Sequence, residues 1–197
     1  MSKSFIVMAG LPGTGKSTVS KKLEEILDYD LYSLLQLRRE FGHKRYRPKQ
    51  NHYVLTEMYR RAEESLDNNR GVILDSTYST RNGRRFAYEI AWSHHVPLIV
   101  LECYCSEKAS KQRMKQRPKN DGLVVEPKNP KAYDGLVQRK EAIIGDFNFF
   151  PSTDLNYLRF NSETNLVELE NVNPNAREIT EKIIQTISDN SQTPYKR

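Results

Sequence analysis

Residues 10–18 read GLPGTGKST and directly follow the apolar run Phe5–Ala9. Glycine adopts positive φ without steric cost, so the three glycines let successive backbone N–H groups turn toward one point. Apolar residues then recur at helical spacing, at Val19, Leu23, Ile26 and Leu27. The stretch therefore joins a buried strand to a helix start, where unpaired N–H groups and the helix dipole favour an anion.

The spacing of this loop also matches the pattern G-x-x-x-x-G-K-[ST], through Gly10, Gly15, Lys16 and Ser17. A lysine at this position reaches β- and γ-phosphates, and the following hydroxyl can ligate Mg²⁺. The sequence thus predicts a nucleoside triphosphate site, with ATP and Mg²⁺ as the expected ligands. The residues expected to contact the nucleotide are Gly10, Leu11, Pro12, Gly13, Thr14, Gly15, Lys16, Ser17 and Thr18.

Apolar runs alternate with helical patterns along the rest of the chain. The predicted strands are 5–9, 71–75, 96–104 and 155–160, and 31–35 reads as either a fifth strand or a helix start. Helical spacing is found within 55–66, 86–91 and 133–147, after Ser106, and after Asn173-Pro174. This alternation predicts a P-loop α/β/α sandwich with a mainly parallel five-stranded sheet.

No linker or repeat divides the 197 residues, so a single domain is expected. The proline-rich polar stretch 117–131 is either an inert loop or part of a small lid spanning about 113–132. Residues 189–197 are expected to form a flexible tail.

Composition narrows the function classes. Charged residues make up 28% and no apolar run approaches the roughly 18 residues of a membrane span, so a cytoplasmic protein without a membrane partner is expected. The net charge of +6 favours anionic ligands. Cys103 and Cys105 would share one face of a strand, and two reduced thiols are favoured over a disulfide or a metal site.

GLPGTGKST resembles the loop of the small P-loop kinases that include polynucleotide 5′-kinase and related small-molecule and RNA kinases. Other parts of the resemblance are VILDST followed by arginines and the late pair Arg113 and Arg117. The resemblance implies transfer of the ATP γ-phosphate to a small molecule, a nucleotide or a nucleic-acid end.

Asp75 closes the predicted strand 71–75, where a carboxylate can hold Mg²⁺ through water. The resemblance implies that role, and the alternative is a capping aspartate. The resemblance also places Thr77 and Arg84 against substrate, although a solvated basic face would account for Arg84 equally simply.

Arg113 and Arg117 are four residues apart and would share a helix face. The resemblance assigns Arg113 to ATP and Arg117 to the γ-phosphate, where an arginine stabilises the charge of the transferring group. The alternative is a merely charged surface helix.

One position departs from the family pattern. Kinases of this branch that act on a hydroxyl usually carry an aspartate three residues before the arginine that follows the second strand. Here that arginine is Arg38, and the expected acid is Leu35. Either Asp30 or Glu40 supplies the acid, or the protein transfers phosphate weakly, as an ATPase switch would.

A third explanation is an acceptor that is itself a phosphate. Its second pKa lies near ~6, so it needs no general base. Arg38 would bind it, assisted by Arg45 and Arg47. The segment 41–53 mixes cations with aromatic residues, which suits either nucleic-acid binding or a loop over a small-molecule pocket.

Overall fold

The computed structural model describes residues 3–42, 48–117, 130–148 and 155–188. Arg45, Arg47, nearly all of the predicted lid stretch 117–131 and the predicted tail 189–197 therefore lie outside the described residues.

One six-stranded sheet organises the chain. The strands stand in the order β2-β3-β1-β4-β5-β6, and all neighbours are parallel except β6, which runs antiparallel to β5. The strands are β1 Phe5–Ala9, β2 Asp30–Ser33, β3 Val72–Asp75, β4 Leu98–Tyr104, β5 Leu155–Asn161 and β6 Leu166–Asn171. The central strand β1 is apolar throughout and fully buried, as a strand covered on both faces must be.

Helices cover both faces of the sheet. They are α1 Lys16–Leu27, α2 Leu34–Glu40, α3 Pro48–Asp67, α4 Arg81–Ser93, α5 Glu107–Gln116, α6 Pro130–Gln138 and α7 Arg177–Ser188. Apolar side chains of α2, α3 and α4 pack on one face, and those of α1 and α7 pack on the other. The P-loop α/β/α sandwich is thus confirmed. No helix among the described residues has the length and apolar character needed to cross a membrane.

The element boundaries differ from expectation in three places. The ambiguous stretch 31–35 is divided between β2 and α2 at Ser33. The single helix expected within 133–147 is two pieces, α6 and a 3₁₀ helix at Ile143–Asn148, because polar residues of 139–141 break the apolar repeat. The sixth strand, β6, was not predicted because it lies at the sheet edge and most of its residues are exposed, which removes the apolar signal.

The two cysteines lie beside the carboxyl end of β4. Cys103 is buried and Cys105 is half-buried, and both are free thiols. Burial raises the pKa of Cys103 to about 12, so its thiol is neutral at physiological pH.

The resemblance placed Arg84 against substrate, and the alternative was a solvated face. The described cavity that Arg84 lines, together with Thr77, measures only about 10 Å³, which is too small for a substrate, and Arg84 does not lie on a solvated face. Its side chain is fully buried on α4, and its guanidinium donates two hydrogen bonds to Asp146, of 2.6 and 2.9 Å. A third goes to the Tyr78 carbonyl at 2.9 Å. Tyr88 and Arg81 also donate to Asp146. Arg84 therefore ties α4 to the 3₁₀ helix 143–148, because a buried cation requires a close counter-charge.

This buried cluster makes a stability prediction. Asp146→Asn keeps the side-chain shape but leaves the Arg84 cation without its counter-charge, so unfolding free energy should fall by about 3–5 kcal/mol. Urea denaturation measures the loss. The matched control is Glu89→Gln, which removes an exposed ion pair with Arg85 and should cost less than about 1 kcal/mol. Equal losses in the two variants would contradict the role given to Arg84.

Candidate functional site

The phosphate loop, residues 10–18, crosses the carboxyl end of the sheet between β1 and α1. Gly10, Gly13 and Gly15 all have positive φ, at 130°, 81° and 90°. These angles curl the loop so that α1 begins at Lys16 with Gly15 as its N-cap. The sequence prediction of a glycine-shaped turn between a strand and a helix is thus confirmed.

Two of these glycines are also required by close packing. A Cβ on Gly10 would stand 2.1 Å from the Cys103 carbonyl oxygen, and one on Gly13 would stand 2.5 Å from that of Ser110. Ser110 in turn donates a hydrogen bond to the Pro12 carbonyl. The loop is therefore braced from behind by β4 and α5, which fixes the direction of its N–H groups before any ligand arrives.

Lys16 and Asp75 place opposite charges inside the protein beside this loop. Lys16 Nζ donates to the Leu11 carbonyl at 2.8 Å, and Asp75 at the end of β3 is 4% exposed. Burial lowers the pKa of the Lys16 ammonium, and the nearby Asp75 opposes that shift. Burial likewise raises the pKa of the Asp75 carboxyl against the opposing effects of Lys16 and the Ser17 hydroxyl. Both charges are thus incompletely compensated within the protein alone.

Ser17 and Asp75 supply the oxygens that a magnesium site would need. Both line the same cavity, and the Ser17 hydroxyl is close enough to lower the pKa of the Asp75 carboxyl. The Ser20 hydroxyl, one turn later in α1, donates to Asp75 Oδ2 at 3.5 Å. Mg²⁺ takes one or two protein oxygens and completes its shell with water and phosphate, so this pair fits the ion.

A first cavity, the nucleotide cavity, opens beside the loop on the α1 and α7 side and measures about 290 Å³. Its described lining comprises Gly13, Gly15, Thr18, Val19, Lys22, Arg113, Arg117, Phe160, Ser162, Asn165 and Ile187. Ser162 and Asn165 come from the turn between β5 and β6. An apolar floor beside a cationic rim suits a nucleoside attached to phosphates.

Arg113 and Arg117 both reach this cavity, but not from one helix face. Arg113 lies in α5, where its guanidinium donates to Gly13 O at 3.3 Å and to Ser162 Oγ at 2.7 Å. Arg117 is the C-cap of α5 and has an extended backbone. This turn directs Arg117 toward a second cavity as well, whereas Arg113 holds the phosphate loop to the β5–β6 turn.

The second cavity lies on the other side of the loop and measures about 590 Å³. Its described lining comprises Pro12, Lys16, Ser17, Leu34, Leu35, Arg38, Asn51, Leu55, Asp75, Ser76, Thr77, Tyr78, Ser79, Thr80, Gly83, Arg117, Gly135, Leu136 and Arg139. We call it the acceptor cavity. Of the three residues predicted to meet substrate, Arg38 and Thr77 line it and Arg84 does not.

Leu35 stands where the family pattern predicts an acid, and its surroundings can be compared with those of Asp30 and Glu40. Leu35 lines the acceptor cavity almost one helical turn before Arg38. Asp30 stands at the amino end of β2, the far edge of the sheet, where it pairs with Arg70. Glu40 points to Arg61 and does not line the cavity. Neither carboxylate therefore replaces the acid expected at Leu35.

Several cavity residues were missed by the sequence analysis. Ser162 and Asn165 reach the nucleotide cavity from the turn that joins β5 to β6, and Phe160 reaches it from the end of β5. Asn51 reaches the acceptor cavity from α3 and Arg139 from the residue after α6, and no local pattern specifies how these segments dock. The one available signal for the three nucleotide-cavity residues was the sequence FNSETN at the end of the predicted strand 155–160. Polar residues that follow a parallel strand lie at the ligand-binding edge of the sheet.

Comparison with known proteins agrees with this geometry. Residues 5–131 match the family model described as AAA domain, which is well over half of the chain. The chain belongs to this AAA-domain family. No curated protein sequence matches the chain.

Solved structures show the P-loop kinase fold of this AAA-domain protein. A proposed kinase from Chloroflexus aurantiacus is 15% identical, with a TM-score of 0.66 over 94% of this chain and 99% of that one. Chaetomium thermophilum Kti12, solved with ADP-AlF3, is 24% identical, with a TM-score of 0.59 over 93% and 98%. A gluconokinase from Sinorhizobium meliloti is 16% identical, with a TM-score of 0.54 over 95% and 93%.

The buried charge of Asp75 has a measurable consequence. Its folded-state pKa lies above the ordinary value of 3.8, so the folded protein binds this proton more tightly than the unfolded chain. The resulting stability is present at low pH and is lost as pH rises through the folded pKa. Asp75→Asn should therefore raise the urea midpoint of the nucleotide-free protein at pH 7, and raise it less in acid.

The control for this prediction is Asp28→Asn, because the Asp28 side chain is 90% exposed. Its midpoint should change little at either pH. A lower midpoint for Asp75→Asn at pH 7 would mean that attraction to Lys16 outweighs the cost of burial.

Proposed function

We propose that this protein is an ATP- and Mg²⁺-dependent kinase that transfers the γ-phosphate to an acceptor bound in the acceptor cavity. The observation that carries the proposal is the meeting of two cavities at one point. The nucleotide cavity and the acceptor cavity lie on either side of the phosphate loop, and Arg117 lines both. A second cavity of this size beside the γ-phosphate position is what a phosphotransferase needs to hold its acceptor.

The phosphate loop and its neighbours hold the triphosphate. Backbone N–H groups of the loop and the first turn of α1 face the phosphates, and Lys16 leaves the Leu11 carbonyl to contact the β- and γ-phosphates. Ser17 and Asp75 would hold Mg²⁺, which would neutralise part of the phosphate charge when bound. Arg113 keeps the loop against the β5–β6 turn, where the nucleoside lies.

Transfer then requires alignment and charge stabilisation rather than covalent help from the protein. The acceptor oxygen approaches the γ-phosphorus from the acceptor cavity while the bond to the β,γ-bridging oxygen breaks and ADP remains on the loop. Arg117 stands between the two cavities, where charge accumulates on the equatorial oxygens of the transferring group. Thr77 contributes a hydroxyl, and its carbonyl accepts from Gly10 N at 3.1 Å, which fixes the cavity wall to the loop.

The volume of the acceptor cavity and the similar structures both bear on the class of acceptor. A cavity of about 590 Å³ suits a small molecule, a nucleotide or the end of a nucleic acid. Gluconokinase and shikimate kinase are named for small-molecule acceptors, and a further similar structure is an RNA repair complex. We extend to this chain the reaction type that these kinases share, which is phosphate transfer to an acceptor. We also propose that the protein acts in the cytoplasm.

A nucleotide-dependent ATPase switch is the second candidate, because Leu35 offers no base for a hydroxyl acceptor. Screening γ-labelled ATP against nucleosides, nucleotides, small hydroxyl compounds and 5′-OH oligonucleotides separates the two. A kinase labels an acceptor, whereas a switch releases inorganic phosphate or leaves ATP intact.

Lys16→Ala should reduce turnover below detection while the thermal unfolding transition stays intact, since the change removes charge from the phosphate site and leaves the apolar core untouched. Labelled-phosphate release and transfer are both measured. Lys21→Ala is the matched control, because Lys21 is an exposed residue of the same helix. Unchanged turnover in Lys16→Ala would refute the proposed function.

Arg117→Ala and Arg113→Ala should separate transfer from nucleotide binding. Loss of Arg117 should lower kcat by about 10³-fold or more with a small change in the KM for ATP, because its charge is needed where charge develops. Loss of Arg113 should mainly raise the KM for ATP, because Arg113 braces the loop. Steady-state kinetics with the acceptor from the screen measure both. The reverse pattern would exchange the two roles.

A further inference from the structure

The acceptor cavity carries an unusual balance of charge. Among its described lining residues are four cations, Lys16, Arg38, Arg117 and Arg139, against the single carboxylate of Asp75. In the proposed function, Lys16 and Arg117 serve the triphosphate. Arg38 and Arg139 have no role at the triphosphate in that proposal, and two guanidinium groups in a cavity wall favour an anion there.

Arg38 is held rigidly in this wall. It lies in α2 with only 7% of its surface exposed, which is a low value for a cation. One of its nitrogens donates to the Asn51 side-chain carbonyl of α3, and Asn51 itself lines the cavity. The α3 amide thus helps to position the Arg38 guanidinium in the cavity wall.

Arg139 enters the cavity from a different element, directly after α6. Its Nε donates to Gly135 O at 2.9 Å, and no carboxylate of the described chain pairs with it. The next two residues anchor the segment: Lys140 pairs with buried Glu102, and Glu141 N donates to Ser79 O at 2.8 Å. Ser79 belongs to the wall of the same cavity. Arg139 is consequently fixed to the cavity by its neighbours rather than by a counter-ion.

A general base is missing from the described part of the same cavity. Leu35 occupies the expected place, and Asp30 and Glu40 lie elsewhere. Asp75 is occupied beside Lys16 and Ser17 at the proposed magnesium position. A hydroxyl acceptor must lose a proton as it attacks, whereas a phosphate monoester is already ionised near neutral pH, with a second pKa of ~6.

We infer that the acceptor is a phosphate monoester held by Arg38 and Arg139, an assignment that rests on the proposed function and specifies its substrate. A monoester oxygen forms the new bond to the γ-phosphorus, and the bond from that phosphorus to the β,γ-bridging oxygen breaks. The electron pair of the broken bond leaves with ADP. The product is a diphosphate, and no proton is transferred when the attacking monoester is a dianion.

The decisive experiment does not require the acceptor's identity. Deproteinised small-molecule and RNA fractions of a cell extract are divided, and one half is treated with alkaline phosphatase, which is then removed. Each half is incubated with the full-length protein, Mg²⁺ and γ-labelled ATP. Labelling should occur in the untreated half and disappear after phosphatase treatment, because the treatment destroys every accessible monoester.

The other outcomes separate this inference from the proposed function. Labelling that persists or increases after phosphatase treatment identifies a hydroxyl acceptor, which overturns the inference and leaves the kinase intact. Absence of labelling in both halves, with ATP hydrolysed or unchanged, overturns the kinase and the inference together.

A variant then tests the proposed site. Arg139→Gln should raise the KM for the phosphatase-sensitive acceptor about 10–100-fold, as expected for loss of a charged hydrogen bond, with the KM for ATP unchanged. Arg85→Gln, an exposed arginine of α4 paired with Glu89, should alter neither. In the wild type, kcat/KM should rise with pH through the acceptor's own pKa near ~6 and then level off. An unchanged acceptor KM in Arg139→Gln would remove Arg139 from the site.

Discussion

The parallel pairing of β1 with β3 on one side and β4 on the other is the constraint on which the site depends. This register sets Met8 opposite Asp75 and Ala9 opposite Glu102, so the chain leaves β1 where β3 also ends, while β4 continues for two more residues to Tyr104. The phosphate loop can then turn directly over Asp75 and pack its glycines against Cys103 and Ser110. A shift of one residue would exchange the two faces of β1 and remove the loop from its support.

The loop was predictable because its chemistry is local. Three glycines, a lysine and a hydroxyl at fixed spacing determine a backbone shape and a charge within nine residues. Asp75 was predictable for a related reason, since it ends an apolar run that can only be a buried strand. The parallel strands followed from the alternation of apolar runs with helical patterns.

The rest of the site depends on contacts between distant segments. Arg84 looked like one of several surface cations in RNGRR, and only the approach of Asp146, 62 residues later, shows why it is buried. Asn51 lies on the amphipathic helix α3 and Arg139 directly after α6, and nothing nearby in sequence directs them to one cavity. The departure at Leu35, by contrast, was visible in the sequence, and the structure narrowed its explanations by placing Asp30 and Glu40 elsewhere.

The edge strand β6 gives the nucleotide cavity a thermodynamic property that the central strands do not share. The turn that it closes carries Ser162 and Asn165 into that cavity, yet most of β6 is exposed and only one of its edges is hydrogen-bonded. Edge segments of this kind open at a smaller free-energy cost than the core. A ligand that binds only the closed hairpin stabilises it by mass action, so occupancy of the nucleotide cavity and fraying of β6 oppose one another. Amide hydrogen exchange along β6 would consequently slow as nucleotide concentration rises, with no rearrangement of the sheet itself.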